Sequence, residues 1–155
     1  MGVTIRTAGR RDLDDVVALA AELFAEDAGQ RDPHTDLDWP RRAGHEYYGG
    51  LLTGPITRCW LAEVDGTTVG YLLGRIKREC TVRPVRVAEL ECMYVRPEYR
   101  SAGVGAALVA EFVEWARGRG AKVAAVTAYA ANDRALAFYA RSGFTPSTVH
   151  LEVDL

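Results

Sequence analysis

Residues 95–108 read VRPEYRSAGVGAAL: the end of an apolar run, a sharp turn carrying Arg100, Gly103 and Gly105 in RxxGxG spacing, and the opening of an amphipathic helix. A glycine-rich turn that starts a helix aims unpaired N–H groups and the positive end of the helix dipole at whatever lies in front of it. The guest that suits such a site is an anion, typically phosphate. An earlier helix in the same chain opens with Asp12, Asp14 and Asp15, as helix N-termini prefer, whereas nothing from position 101 to 110 is acidic. Small side chains at Ser101, Ala102, Gly103, Gly105 and Ala106 also let a bulky ligand reach the backbone. The competing reading is a plain helix start with a flexible glycine turn. Other phosphate motifs fit badly. The Gly-Lys-Ser/Thr of a P-loop is missing, and a dinucleotide fingerprint would meet Leu108 where its last small residue belongs.

Working outward, residues 85–95 form a strand whose alternation puts Glu89, Glu91, Met93 and Val95 on one face and Ala88, Leu90, Cys92 and Tyr94 on the other. Residues 104–117 form a helix with Leu108, Val109, Phe112, Val113 and Ala116 on one side, stopped by Gly118 and Gly120. A strand at 122–128, a helix at 132–142 closed by Gly143, and an alternating final strand at 147–155 follow. Upstream, residues 3–7 alternate as a strand, Asp12 caps a helix over 13–27, a loop over 29–39 leads to a helix over 40–52, and strands at 57–64 and 68–78 are joined by Asp65 and Gly66, the DG signature of a tight hairpin. The order β α α β β β α β α β implies a mixed sheet with helices on both faces.

The 155 residues suit one domain, 1–155, at about 150 residues per domain. A composition of 48% hydrophobic and 26% charged residues excludes collagen-like, disordered and coiled-coil chains. Nineteen basic against twenty-one acidic residues, net charge -2, argue against nucleic acid as a partner. No window approaches the ~20 apolar residues of a membrane span and no signal peptide opens the chain, so the expectation is no membrane partner and a cytoplasmic location. Cys59, Cys80 and Cys92 are odd in number, and neither they nor His34, His45 and His150 fall in ligand spacing. Reduced core cysteines, with no metal and no disulfide, are expected.

Residues 95–108 resemble motif A of the GCN5-related N-acetyltransferases (GNAT), and residues 132–144, NDRALAFYARSGF, resemble their motif B. The resemblance extends over essentially the whole chain. It implies an α/β fold with a mixed, mostly antiparallel sheet of about six to seven strands, splayed between two central strands and flanked by four helices. It also implies acetyl-coenzyme A as cosubstrate, without a metal, and direct acetyl transfer to a primary amine. Carried over residue by residue, the backbone of Met93, Tyr94 and Val95 would pair with the pantetheine arm like an added strand, while the strand after Lys122 splays away. The amides of Ser101, Ala102, Gly103, Val104, Gly105 and Ala106 would hold the pyrophosphate, Arg100 would shape the turn, Asn132 would contact the pantetheine, and Tyr139 would face the sulfur.

The chemistry of that reaction sets its own requirements. An amine at neutral pH is mostly protonated and must lose a proton before it attacks, and the expelled thiolate benefits from a nearby donor. Tyr139 suits the donor, the alternative being a core aromatic beside Leu136 and Phe138, and the Val95 N–H suits the oxyanion. Glu89 and Glu91 are the candidate bases, with Glu91 favoured as nearer the reacting carbon; the alternative is a structural pair neutralised by arginines such as Arg75 or Arg86. Cys92 as an acetyl carrier is disfavoured because alternation turns it away from the glutamates. Relatives that acetylate protein N-termini often carry Glu five residues before the motif B asparagine, where this chain has Thr127. Between positions 26 and 46, Glu26, Asp27, Asp32, Asp36, Asp38 and Glu46 outnumber Arg31, Arg41 and Arg42, with Trp39, Tyr47 and Tyr48 interleaved. This suits a small cationic acceptor, the competing reading being a plain solvated acidic loop. A protein lysine or N-terminal acetyltransferase and a catalytically silent coenzyme A-binding regulatory module are the alternatives. An exposed final strand would also let two copies pair as a homodimer.

Overall fold

Asp65 and Gly66 both take positive φ, 50° and 79°, the conformation in which a two-residue turn matches the twist of the strands it joins. The hairpin they close is the centre of a five-stranded sheet. In the computed structural model, which describes residues 2–155, the elements are β1 (Val3–Thr7), α1 (Leu13–Glu26), α2 (Ala28–Arg31), α3 (Trp39–Leu52), β2 (Thr57–Val64), β3 (Thr67–Ile76), β4 (Val87–Val95), α4 (Val104–Gly118), β5 (Val123–Val126) and α5 (Asp133–Arg141). Strand order follows chain order, β1-β2-β3-β4-β5, with antiparallel pairs up to β4 and a parallel β4–β5 pair. The short α2 falls in the segment expected to be loop.

The sheet carries a core on each face. On one, α4 buries Leu108, Phe112 and Trp115 against Trp60, Leu72, Ala88 and Leu90. On the other, α1 and α3 bury Val16, Leu19, Ala20 and Tyr48 against Leu61, Tyr71, Leu73 and Tyr94. Removing a side chain such as Phe112, which is fully enclosed, would cost about 3–5 kcal/mol.

Three expectations are corrected. The sheet has five strands instead of six to seven, because residues 147–155, expected as the final strand, pair with no other strand. The alternation of β4 breaks at a bulge. Leu73 faces Cys92 but Gly74 faces Leu90, so Glu91 is the extra residue. Each side of the bulge keeps its own parity, so Ala88 and Leu90 share a core with Met93 and Val95, while Cys92 and Tyr94 join the α1/α3 side. Finally, Cys59 is buried and Cys92 half-buried, but Cys80 is exposed in the loop between β3 and β4, so it is no core cysteine.

Asp12 anchors the start of α1, though not as a side-chain cap of that helix. Its carboxylate receives both Arg6 terminal nitrogens, at 2.8 and 2.9 Å, and the Gly9 N–H at 2.8 Å, while Arg6 also reaches Glu63. The Arg6 hydrogen bonds hold the buried Asp12 carboxyl down at about 2. A carboxyl lowered on folding stabilises the fold above its unfolded value, and that contribution is lost as the pH falls through the folded one. Between pH 5 and pH 2 the wild type should therefore lose about 2 kcal/mol that Asp12→Asn does not lose. Urea unfolding of both proteins across that window measures the difference; parallel curves would remove Asp12 as its source.

Candidate active site

β4 and β5 pair from Val87 with Val123 to Leu90 with Val126, and there the pairing stops. Beyond Leu90 one edge of β4 is open. The bulge residue Glu91 is thus also the first residue past the fork, and the register with β3 shows which groups face the opening. Arg96 donates to the Val69 carbonyl at 2.8 Å, so the alternation of an antiparallel ladder makes Tyr94 and Tyr71 a hydrogen-bonded pair. The same alternation turns the N–H and C=O groups of Met93 and Val95 outward, to the open edge. Of the three residues expected to pair with an added strand, Met93 offers both backbone groups and Val95 its N–H, its carbonyl being held by Arg100, and Tyr94 offers neither because its groups are spent on β3.

At the foot of that edge stands the glycine turn. Ser101 and Gly103 take left-handed φ values of 66° and 81°, and Gly103 precedes α4 with no side-chain cap. Ala107 is the first amide after the turn to find an acceptor, the Gly103 carbonyl at 3.0 Å. None of the amides of Ser101, Ala102, Gly103, Val104, Gly105 and Ala106 donates to an acceptor among the described residues. Arg100 fixes the turn: its Nε donates to the Val95 carbonyl at 2.8 Å, its terminal nitrogens grip Glu26 of α1 at 2.8 and 2.5 Å, and its guanidinium lies over the Tyr94 ring.

Gly105 has a reason that sequence alone does not show. A Cβ there would stand 3.1 and 3.2 Å from two ring atoms of Phe138 in α5, whereas one on Gly103 would meet nothing within 4 Å. Gly105→Val should therefore displace Phe138 and the α5 that carries Tyr139. It should also raise the coenzyme A dissociation constant at least about tenfold, near 1.4 kcal/mol. Calorimetric titration checks this, and unchanged affinity would refute it.

Around the fork stand the remaining candidates. Tyr139 packs edge-on to Phe138 and Phe144, with ring centroids 5.2 and 5.6 Å away, and its hydroxyl has no hydrogen-bond partner among the described residues. Burial pushes its phenol above the ordinary 10. Asn132 is doubly engaged: its Oδ1 accepts from Ala135 N–H as the cap of α5, and its Nδ2 donates to Asp27 at 3.1 Å. Neither role was anticipated; an Asn just ahead of an amphipathic run is the signal that could have shown the cap.

Glu91 and Glu89 each have a cationic partner: Arg75 takes Glu91, as the structural alternative named it, whereas Glu89 is held by Lys77 and Arg86 goes to Glu79. Glu91 receives the Tyr47 hydroxyl at 2.5 Å on one oxygen and Arg75 at 2.9 and 3.0 Å on the other. Glu89 has its own partner, Lys77, at 3.2 Å. Arg75, on β3, is one of the arginines named for the structural alternative, while Tyr47, brought in by α3, is a partner of Glu91 beyond the expected set. Tyr47 is pushed up to about 12, by burial first and by its bond to Glu91 second, so it stays a donor at neutral pH. Tyr47 also belongs to an aromatic cluster, with Trp39 5.1 Å and Tyr48 5.1 Å from its ring centroid and Phe24 stacked on Trp39. Cys92 lies on this same side of the sheet, contrary to the alternation argument, but burial lifts its thiol to about 12, which leaves it no thiolate with which to attack.

The acidic excess between positions 26 and 46 is largely consumed internally. Glu26 pairs with Arg100, Asp27 with Arg31 and Asp36 with Arg42, while Asp32 holds the loop through Thr35 and the His34 N–H. Among the described residues no group of three or more His, Cys, Asp or Glu could hold a metal, and no helix is long and apolar enough to cross a membrane.

Comparison with known proteins adds an independent line. Residues 14–144 match the model of the acetyltransferase (GNAT) family. An uncharacterized N-acetyltransferase from Archaeoglobus fulgidus is 32% identical over 136 residues, covering 88% of each chain. Another from Methanocaldococcus jannaschii is 27% identical over 94% of this chain, which spans 62% of that relative's length. The N-alpha-acetyltransferase RimI of Mycobacterium tuberculosis is 32% identical over 92% of this chain and 78% of its own. Among solved structures, aminoglycoside N-acetyltransferase AAC(6')-Iy in complex with CoA superposes with a TM-score of 0.78 at 20% identity, over 99% of this chain and 95% of that one.

Proposed function

Since the chain belongs to the acetyltransferase (GNAT) family, and is an acetyltransferase, we propose that it binds acetyl-coenzyme A in the β4–β5 fork and passes the acetyl group directly to the primary amine of a small cationic acceptor. The observation that carries this reading is the run of six unengaged amides, residues 101–106, at the foot of an edge where Met93 and Val95 present their backbone outward. Six N–H groups and a helix dipole suit a pyrophosphate, and an open strand edge suits the two amides of a pantetheine arm. The CoA complex of the AAC(6')-Iy fold supports the same cosubstrate.

In the reaction the thioester carbonyl lies near the fork, where the Val95 N–H donates to the oxygen that gains charge as the amine attacks. Glu91 takes the proton of the incoming ammonium, directly or through water. A carboxylate has about four acceptor positions, and Tyr47 and Arg75 occupy three, which orients the group and leaves one open. As the tetrahedral intermediate collapses, its nitrogen gives up a second proton, which ends on the departing coenzyme A sulfur, and Tyr139 stabilises the developing thiolate by a hydrogen bond. Asn132 acts by capping α5 and tying it to Asp27 at the α1–α2 junction, with any pantetheine contact secondary. Glu89, engaged by Lys77 further from the fork, is the lesser candidate for base.

What favours a cationic acceptor is the aromatic wall of Trp39 and Tyr47 beside Glu91, since ring faces and a carboxylate both attract ammonium groups. The acidic loop contributes less, because its charges are mostly paired. Acetylation of a protein N-terminus is the second reading, supported by the mycobacterial RimI relative. A panel of polyamines, aminoglycosides and N-terminal peptides, assayed for thiol release from acetyl-coenzyme A, decides between them. Release with the small cations alone supports the first reading, release with the peptides alone supports the second, and none with any member overturns both.

A further inference from the structure

Tyr139 stands on a helix with few anchors. α5 is nine residues long and buries none of them fully, so its place depends on the rings of Phe138 and Tyr139 and on whatever holds its ends. Among the described residues, one side-chain hydrogen bond leads from residues 132–141 to another element: Asn132 Nδ2 donates to Asp27 Oδ1 at 3.1 Å. The orientation of that amide is not free. Its oxygen already accepts the Ala135 N–H as the cap of α5, so its nitrogen is the end left to meet an acceptor.

Asp27 is well placed to be a fixed point. It is the residue between α1 and α2, its N–H donates to the Leu23 carbonyl at 2.9 Å, and the Oδ1 that takes Asn132 also takes Arg31 at 2.9 Å. Arg31 answers the charge of the carboxylate, which can then sit half-buried at a helix junction without being a lone anion. The same body carries the partners of Glu91. Phe24 of α1 stacks on Trp39, Trp39 packs edge-on to Tyr47, and Tyr47 donates to Glu91. Through Tyr47 at one end and Asp27 at the other, this frame touches both the strand that bears the proposed base and the helix that bears the leaving-group donor.

We propose that Asp27 is a positioning residue for acetyl transfer: it holds Asn132, and so the start of α5, at the place from which the Tyr139 hydroxyl meets the leaving sulfur. Asp27 touches neither cosubstrate nor acceptor in this role. It acts through geometry, since a misplacement of about 1 Å can cost about 10²-fold in rate. The proposal rests on Tyr139 serving the leaving sulfur, and the experiment separates the two.

With turnover measured as thiol release in the presence of the best acceptor of the amine panel, Asp27→Ala should lower kcat about tenfold and leave the KM for acetyl-coenzyme A within about twofold. Asp27→Asn keeps an oxygen for Asn132 and Arg31 and should stay within about twofold of the wild type. In the Tyr139→Phe background, where no hydroxyl is left to position, Asp27→Ala should lower kcat no further. Wild-type turnover in Asp27→Ala, an equal loss in both backgrounds, or an Asp27→Asn as slow as Asp27→Ala would overturn the role of Asp27 while leaving Tyr139 its own. Wild-type turnover in Tyr139→Phe alone would remove the donor and, with it, this proposal. If Asp27→Ala does not fold, Asp27→Ser takes its place, since Ser suits a helix start and is too short to reach Asn132.

Discussion

Tyr139→Phe lowers turnover by about 10²-fold or more and leaves the folded state essentially as stable as before. The second half of that expectation comes directly from the packing. The ring keeps its edge-on contacts with Phe138 and Phe144, and the hydroxyl it loses makes no hydrogen bond among the described residues. Removing a polar group that has no partner costs nothing in pairing and relieves some desolvation. The first half follows from the thiolate, which develops its charge where a single preoriented donor is worth a few kcal/mol. Because burial lifts the phenol above 10, the proton stays on Tyr139 across the working range, so no alkaline loss of activity below about pH 10 should arise from it. Turnover numbers and thermal midpoints of the two proteins settle the matter. Normal turnover in the variant would leave Tyr139 as a packing residue only.

Glu91→Gln should reduce the rate near neutrality by about 10²- to 10⁴-fold and abolish the acidic limb of the rate–pH profile. A protonated base cannot accept the amine's proton, so wild-type activity rises with pH as the base ionises; an amide, which never ionises, has no such rise. Gln keeps an oxygen for Arg75 or Tyr47, so the shape of the cluster is largely retained. Glu89→Gln is the matched control, since it removes a carboxylate held by Lys77 on the same strand and should leave the profile unchanged. Loss of the limb in the Glu89 variant instead would move the base along the strand. Wild-type profiles in both would mean that the amine gives its proton to bulk water before it binds.

Most of the architecture was legible because it is written in local signals. DG closes the hairpin, RxxGxG opens α4 with left-handed Ser101 and Gly103, and the apolar stripe of residues 104–117 finds the β2–β4 core. What escaped depends on neighbours distant in sequence. Nothing in VAELECMYV marks Glu91 as the residue that bulges; the shift appears only against β3, and with it the face on which Cys92 and both glutamates lie. Tyr47 reaches Glu91 from a position 44 residues away along the chain, while the Arg75 partner was among the arginines named from the sequence. The alternation of residues 147–155 did not become a strand: a period of two makes one only where a sheet edge takes it up, and these residues pair with none.

The contact between position 105 and the ring of Phe138 makes the glycine turn and the α5 helix one inherited unit. A substitution at either position changes what the other can tolerate. A smaller residue at 138 would free space for a side chain at 105, and drift could then carry the pair away from Gly and Phe together without touching the anion site. Relatives should consequently vary at these two positions in concert. The glycine that would hold its place on its own is Gly103, whose left-handed backbone no neighbour can relieve.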